Sequence, residues 1–259
     1  MSKNLLLKGL KEDILKIAHK TKEGHVPSAF SILDILYVLY NKVLKIDPVN
    51  THKEDRDYFI MSKGHAAIGL YAVLADRGFF DKREMEQFGK YKSRLGGHPD
   101  MNKVPGVEAS TGSLGHGLPI AVGIAMGLSY KEKGQKVYCL IGDGELNEGS
   151  MWEAIIIAGQ QNLSNLVCIL DNNHSIDRSV IWGNLENKFS DFGWDVVSIN
   201  GHDHSEIEKA LNTITVNKPI LIIANTIKGN GCQSIENNPA WHHRAPNKEE
   251  LEKLLEELV

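Results

Sequence analysis

An α/β fold, with a parallel sheet covered by helices on both faces, is predicted by three features of the sequence. Strand-like and helix-like segments alternate through the second half of the chain. The strand segments are continuously apolar, as in sheets buried on both faces. Glycine-rich turns follow the strands, where ligands of such sheets bind. The chain has 259 residues. That length is enough to bury a large core in one domain. No repeat, low-complexity stretch or linker divides it, so residues 1–259 read as a single domain.

The elements follow in order. Leu7, Leu10, Ile14 and Ile17 share one helical face, and Gly24 is expected to stop that helix. Residues 32–44 are apolar almost all round, which predicts a buried helix. Residues 58–61 read as a short strand and 66–77 as a helix. Residues 89–118 lose hydrophobic periodicity and are rich in Gly, Pro, Ser and His; a loop this long in a compact domain is usually functional. A small-residue helix follows at 120–127. Its glycines weaken a helix, so another backbone is expected to pack against them. Strands are then expected at 137–141, 166–170, 195–199 and 220–224, with helices at 150–161, 186–192, 205–214 and 248–258. Right-handed crossovers put the strand C-termini on one edge, so chemistry is expected just after Ile141, Leu170 and Ala224.

Composition excludes some classes. Lys plus Arg number 29 against 33 Asp plus Glu, for a net charge of -4. No basic excess suggests nucleic acid as a partner. No apolar run approaches the ~20 residues that span a bilayer, and the N-terminal segment lacks the apolar stretch of a signal peptide. The three cysteines, Cys139, Cys168 and Cys232, match no zinc or redox spacing and read as buried apolar residues. A cytoplasmic protein is expected.

The strand 137–141 runs into Gly142-Asp143-Gly144. Glycines at a strand-to-helix turn let a phosphate approach the backbone. A dinucleotide site would not place an acid between them. A carboxylate facing a diphosphate requires a cation between the two, and the residue types call for Mg²⁺ or Ca²⁺ on oxygen ligands. The next strand ends in Asp171-Asn172-Asn173. Residues 145 to 171, twenty-seven positions, separate the two motifs, about one helix plus one strand, which brings both to the same edge. From Gly142-Asp143-Gly144 alone, a turn capped by Asp143 is the competing account.

Eleven histidines are many for this length. His25, His65, His98, His116, His242 and His243 lie in loops. Imidazole titrates near neutrality and suits proton transfer from a sugar hydroxyl. Zinc is the competing reading, but only His242 and His243 are adjacent, and neighbouring side chains point apart.

These blocks together resemble the thiamine diphosphate signature, and from about residue 20 to residue 247 the chain is similar to transketolase N-terminal domains. The resemblance implies the diphosphate-binding domain of the thiamine diphosphate fold. It implies thiamine diphosphate and Mg²⁺, with Ca²⁺ or Mn²⁺ able to substitute, and Asp143, Asn173 and Ser175 as metal ligands. It implies His65, Gly112, Ser113, Leu114, Gly142, Asp143, Gly144, Glu145, Asn173, Lys228 and His242 around the cofactor. His25, His98 and His242 are implied to handle substrate protons, and His116 to lie near the cofactor without a catalytic role. Alignment on Trp241 favours His242, whereas alignment on Ala245-Pro246 favours His243. Glu148 is implied to join a proton network across a subunit interface, and Glu153 to be another interface acid; both also suit a helix N-terminus.

A full transketolase carries a second, pyrimidine-binding domain, and residues 247–259 hold only a charged helix. The resemblance therefore implies a split enzyme. Its C-terminal transketolase subunit would be a separate chain, in a heterotetramer with two copies of each. The helix at 120–127 and residues 155–157 are the expected interface. The implied reaction is two-carbon ketol transfer from a ketose phosphate donor to an aldose acceptor. The alternative is a subunit of a deoxyxylulose-phosphate synthase-like or 2-oxo acid dehydrogenase-like enzyme.

Overall fold

The computed structural model describes residues 3–176 and 180–258. Five strands form one sheet: β1 (Tyr58–Met61), β2 (Val137–Gly142), β3 (Leu166–Asn172), β4 (Asp195–Asn200) and β5 (Ile220–Asn225). Their spatial order is β1-β2-β3-β5-β4, and every pairing is parallel. The predicted α/β architecture is therefore the observed one.

The period of two in each strand sorts its side chains onto opposite faces. Tyr138 and Leu140 of β2 join one core cluster, with Val167 and Ile169 of β3. Val137, Cys139 and Ile141 join the other, with Leu166, Cys168 and Leu170. Helices α1 (Lys3–Thr21), α2 (Val26–Val38), α3 (Ala67–Asp76), α7 (His204–Leu211) and α8 (Lys248–Glu257) cover the first face. Helices α4 (Gly117–Tyr130), α5 (Gly149–Gln160) and α6 (Leu185–Asp191) cover the second. All three cysteines are free and buried.

Several boundaries differ from the sequence expectation for identifiable reasons. Helix α1 ends at Thr21, and Lys22, at φ 61°, makes the left-handed stop expected of Gly24. Helix α2 begins at Val26, six residues earlier than the apolar run suggests, with Pro27 in its first turn. The polar residues Ser28, Ser31 and Asp34 obscure its buried face in the sequence; all three are buried. The expected end of that helix, residues 39–43, is a π-helical turn. In α4, a Cβ added at Gly123 or Gly127 would meet nothing among the described residues. The expected backbone packing at those glycines is thus absent from the fold of the chain itself. Of residues 155–157, Ile155 is fully buried in the core, while Ile156 and Ile157 are 41% and 46% exposed.

The loops leaving the C-terminal ends of β1, β2, β3, β4 and β5 share one edge of the sheet. They bring Lys63, Asp143, Asn173 and Lys228 into one neighbourhood, with His202 beside the loop that carries Lys228.

Candidate active site

The base of that edge is a buried charge network. The Lys63 ammonium pairs with the Asp171 carboxylate, with side chains 2% and 0% exposed. Asp171 also accepts from Ser31 Oγ at 2.8 Å, from Asn173 Nδ2 at 2.8 Å and from Thr226 Oγ1. Burial pushes the Asp171 carboxyl up, but Lys63 and these donors outweigh that and hold it below its ordinary value. Lys63 further reaches the Ser28 carbonyl at 3.3 Å. The network ties α2, the β1 loop, the end of β3 and the β5 loop into one block.

A cavity of about 190 Å³ stands on this base, lined by His65, Leu114, Gly142, Asp143, Gly144, Glu145, Asn173, Ser175, Lys228 and His242, with Ser28, Lys63 and Ile176 completing the wall. Asp143 follows β2 and is buried. Its Oδ1 accepts from Gly144 N at 2.8 Å and its Oδ2 from Ile176 N at 3.2 Å. Asn173 follows β3. His174, at φ 58°, turns the chain back so that Ser175 N reaches Asn173 Oδ1 at 3.1 Å. Asp143, Asn173 and Ser175 thus share one wall, although Asp143 lies on a different strand end from the other two.

Nitrogen groups share the cavity with these oxygens. Lys228 Nζ lies 3.1 Å from Ser175 Oγ and 3.3 Å from His242 Nδ1. Burial lowers the Lys228 pKa, with the nearby Lys63 charge adding to it. The His25 ring stands 5.1 Å from that of His65 and 5.4 Å from that of His242. Burial, then the neighbouring His243 and His242 rings, lower the His25 pKa to about 4. Burial and the Lys63 charge lower that of His65 to about 2. Burial and Lys228 lower His242 as well. Near neutral pH these shifts favour the uncharged form of all three rings.

The neighbours His242 and His243 separate as adjacent side chains should. His242 lines the cavity. His243 lies outside it, stacked on His25 at 4.3 Å and 3.0 Å from Glu23. His98 is exposed, and its ring covers Gly112: a Cβ there would come within 2.9 Å of the ring, at a φ of 147° that already favours glycine. Glu145 is 1% exposed, and its oxygens are committed to Ser62 Oγ, Gly115 N and Gly142 N at 2.6–3.0 Å. It fastens the 112–115 loop to the end of β2. Ser113 is exposed beside that loop, and His116 is exposed with Nδ1 3.0 Å from the Leu114 carbonyl. Glu148 is exposed at the start of α5 and makes no capping hydrogen bond; Glu153 is exposed on the same helix.

The chemistry of the donor set fits a divalent cation with a diphosphate. Burial, then the Asp171 charge, raise the Asp143 pKa. A cation beside Asp143 would offset that cost, and the Lys228 ammonium would face the anion. Among the described residues no three His, Cys, Asp or Glu side chains form a metal-ready cluster, so the remaining donors would be amide, carbonyl and ligand oxygens.

The sequence profile described as "Transketolase, thiamine diphosphate binding domain" matches residues 6–258. The chain belongs to this family. It is 41% identical over 247 residues to a subunit of an apulose-4-phosphate transketolase from Actinobacillus succinogenes, covering 93% of this chain and 90% of that one. It is 37% identical to a 6-deoxy-6-sulfo-D-fructose transketolase subunit of a Clostridium species, covering 91% and 88%. The crystal structure of transketolase from Campylobacter jejuni superposes with a TM-score of 0.87 at 33% identity, over 98% of this chain and 42% of that one. The chain thus spans about two-fifths of that solved transketolase.

Two expectations follow. Lys63→Met leaves Asp171 buried and charged, and urea unfolding is expected to show a loss of about 3–5 kcal/mol, the usual cost of breaking a buried pair; Asp171→Asn added to it is expected to recover part of that loss. The second concerns pH. The unfolded chain takes up protons on His25 and His65 below about 6.5, whereas the folded chain does so only near 4 and 2. The unfolded state therefore binds more protons in this window, and stability falls as pH drops. The cofactor-free chain is expected to lose melting temperature from pH 7 towards pH 4, with a shallower slope in His65→Gln.

Proposed function

We propose that this chain is the diphosphate-binding subunit of a split transketolase that uses thiamine diphosphate and Mg²⁺. It would transfer a two-carbon ketol unit from a ketose phosphate to an aldose acceptor. The observation that carries this reading is that Asp143, Asn173, Ser175, Lys228, His65 and His242 line one cavity. Asp143, Asn173 and the Ser175 carbonyl would hold the cation, and Lys228, His65 and His242 would contact the diphosphate. Bound there, the cofactor would supply the carbanion chemistry that cleaves the bond between C2 and C3 of the ketose.

The protein's own part would be to move protons. His25, His98 and His242 would flank the donor sugar at the mouth of the cavity. The uncharged state of His25 and His242 suits removal of the proton from the C3 hydroxyl and its return to the acceptor. The 112–114 loop would support the aminopyrimidine with backbone groups. Glu148, exposed and free of any capping bond, is available to a partner chain.

That partner would carry the pyrimidine-binding domain. Support comes from the Actinobacillus and Clostridium relatives, which are named as subunits and which the chain covers almost end to end. The exposed faces of α4 and α5, with Ile120, Ile156 and Ile157, would meet it, in a complex with two copies of each chain. The donor sugar would bear an anionic group, as the names of those relatives say of theirs; a role in the pentose phosphate pathway is one instance of that class. Among the described residues no helix is long and apolar enough to cross a membrane, and a cytoplasmic location accords with the reading.

With the partner present, calorimetry is expected to show metal-dependent cofactor binding that Asp143→Ala abolishes and Asp143→Asn weakens less. Binding unaffected by a chelator in the wild-type complex would overturn the metal assignment. His98→Ala and His242→Ala are expected to lower turnover by about 10²–10⁴, the range of general acid–base groups, and His243→Ala to lower it less. A larger loss at His243 would reverse the assignment.

A further inference from the structure

The loop that carries Lys228 leaves β5 and crosses the sheet edge. Thr226 Oγ1 ties its start to Asp171, and Gly229 N donates to the Pro27 carbonyl at 3.0 Å. Between them the Ile227 amide has an unusual partner: it donates to Nε2 of His202 at 2.9 Å. His202 follows β4, on the far side of β5 from the cavity. Its other ring nitrogen, Nδ1, lies 2.9 Å from Asp34 Oδ2.

These two contacts leave one tautomer. A backbone N–H can only donate, so Nε2 must carry a lone pair. The ring proton is then on Nδ1 and is donated to Asp34. Asp34 is an anion at neutral pH: burial pushes its carboxyl up, but hydrogen bonds from His202 and His204 more than offset that and hold it at about 2. His204 Nε2 approaches the other Asp34 oxygen at 2.8 Å. The Asn230 amide lies 2.9 Å from Nδ1 of His202; with Nδ1 donating, its oxygen is the end that fits there, an amide orientation set by the network. Lys11, which reaches the Asn230 carbonyl at 2.8 Å, closes the cluster from α1.

We propose that His202 is a positioning residue for Lys228: locked in one tautomer by Asp34, it accepts the Ile227 amide proton and so fixes the loop that aims the Lys228 ammonium into the cavity. The proposal rests on the thiamine diphosphate reading of that cavity. The arrangement parallels metal sites in which a carboxylate fixes the tautomer of a histidine whose other nitrogen does the work; outer partners of that kind typically contribute about 10–100-fold to affinity. Here the histidine acts on a backbone amide next to the functional side chain. Without His202, the Ile227 amide loses its acceptor, and the peptide leading into Lys228 is held only by the Thr226 and Gly229 contacts that flank it.

The test measures thiamine diphosphate affinity by calorimetry in the presence of Mg²⁺, on the full chain together with its partner. Wild type must bind; absence of binding would count against the proposed function and not against this inference. Given binding, His202→Ala is expected to weaken affinity by about 10–100-fold, with turnover at saturating cofactor falling by less than that factor. His202→Gln, whose amide oxygen can accept from Ile227, is expected to recover most of the loss. Asp34→Asn removes the charge that locks the Nδ1–H tautomer; it is expected to weaken binding in the same direction as His202→Ala, and to add little in combination. The decisive comparison is Lys228→Met with and without His202→Ala. If His202 acts through Lys228, the double variant binds no more weakly than Lys228→Met alone. Hydrogen exchange of the Ile227 amide should accelerate in His202→Ala without cofactor. Additive losses, wild-type affinity in both His202→Ala and Asp34→Asn, or a fall in melting temperature that His202→Gln does not relieve would overturn the proposal.

Discussion

The buried Lys63–Asp171 pair is the constraint on which the site depends. A charge pair with side chains 2% and 0% exposed costs several kcal/mol per ion to desolvate, so it persists only because its remaining hydrogen bonds are made. Those bonds come from α2 through Ser31, from the β5 loop through Thr226 and from Asn173. Each donor sits beside a group that faces the cavity. Asn173 is itself a proposed ligand, Thr226 stands two residues before Lys228, and Lys63 precedes the Gly64-His65 turn. Displacing any one of these elements leaves a polar group buried without a partner. The pair therefore works less as a source of net stability than as a device that makes one arrangement of α2 and three strand-end loops the only satisfied one.

Above this base the cavity lining combines oxygens, including the buried Asp143 carboxylate, with Lys228, His65 and His242, and the His25 ring stands against those two imidazoles. Burial disfavours charge on every one of these groups, raising Asp143 and lowering His25, His65, His242 and Lys228. Such a cavity is poorly matched to being empty. A divalent cation would relieve Asp143, and a diphosphate would relieve Lys228. The same burial keeps these rings in the uncharged form at neutral pH.

Much of this is legible in the sequence because the informative residues sit at strand ends. A glycine-flanked acid after an apolar strand, with Asn172-Asn173 after the next, specifies adjacency once the sheet is parallel, and the register Gly142↔Asp171 realises it. Separating His242 from His243 needs the three-dimensional path of the 239–246 loop, since alignment supports either. The polar residues of α2 hide its true start. Ser31 and Asp34 look like breaks in an apolar period until their partners Asp171 and His204, 140 and 170 positions away, are visible. The roles of Lys63, Asp171 and Thr226 escape the sequence for the same reason. A charged residue closing an otherwise apolar strand, as Asp171 does, is the one available signal of a buried counter-ion.

The face formed by α4 and α5 completes the physical argument, because there the chain's own packing does not account for its composition. A helix interior loses up to about 1 kcal/mol for each glycine in place of alanine, yet Gly123 and Gly127 have no neighbour within reach of a Cβ. On the same two packed helices Ile120, Ile156 and Ile157 are 38%, 41% and 46% exposed. Isolated exposed apolar residues are ordinary, but exposed apolar residues on two packed helices, one of which carries unpacked glycines, make a surface suited to the close approach of another backbone. Glu148 stands at the start of α5, against Gly115, where a Cβ would come within 2.5 Å of it. Gly115 N in turn is held by Glu145. A partner that reached Glu148 would touch a carboxylate one contact away from the loop that is proposed to support the cofactor ring, and through that contact docking would be coupled to cofactor placement.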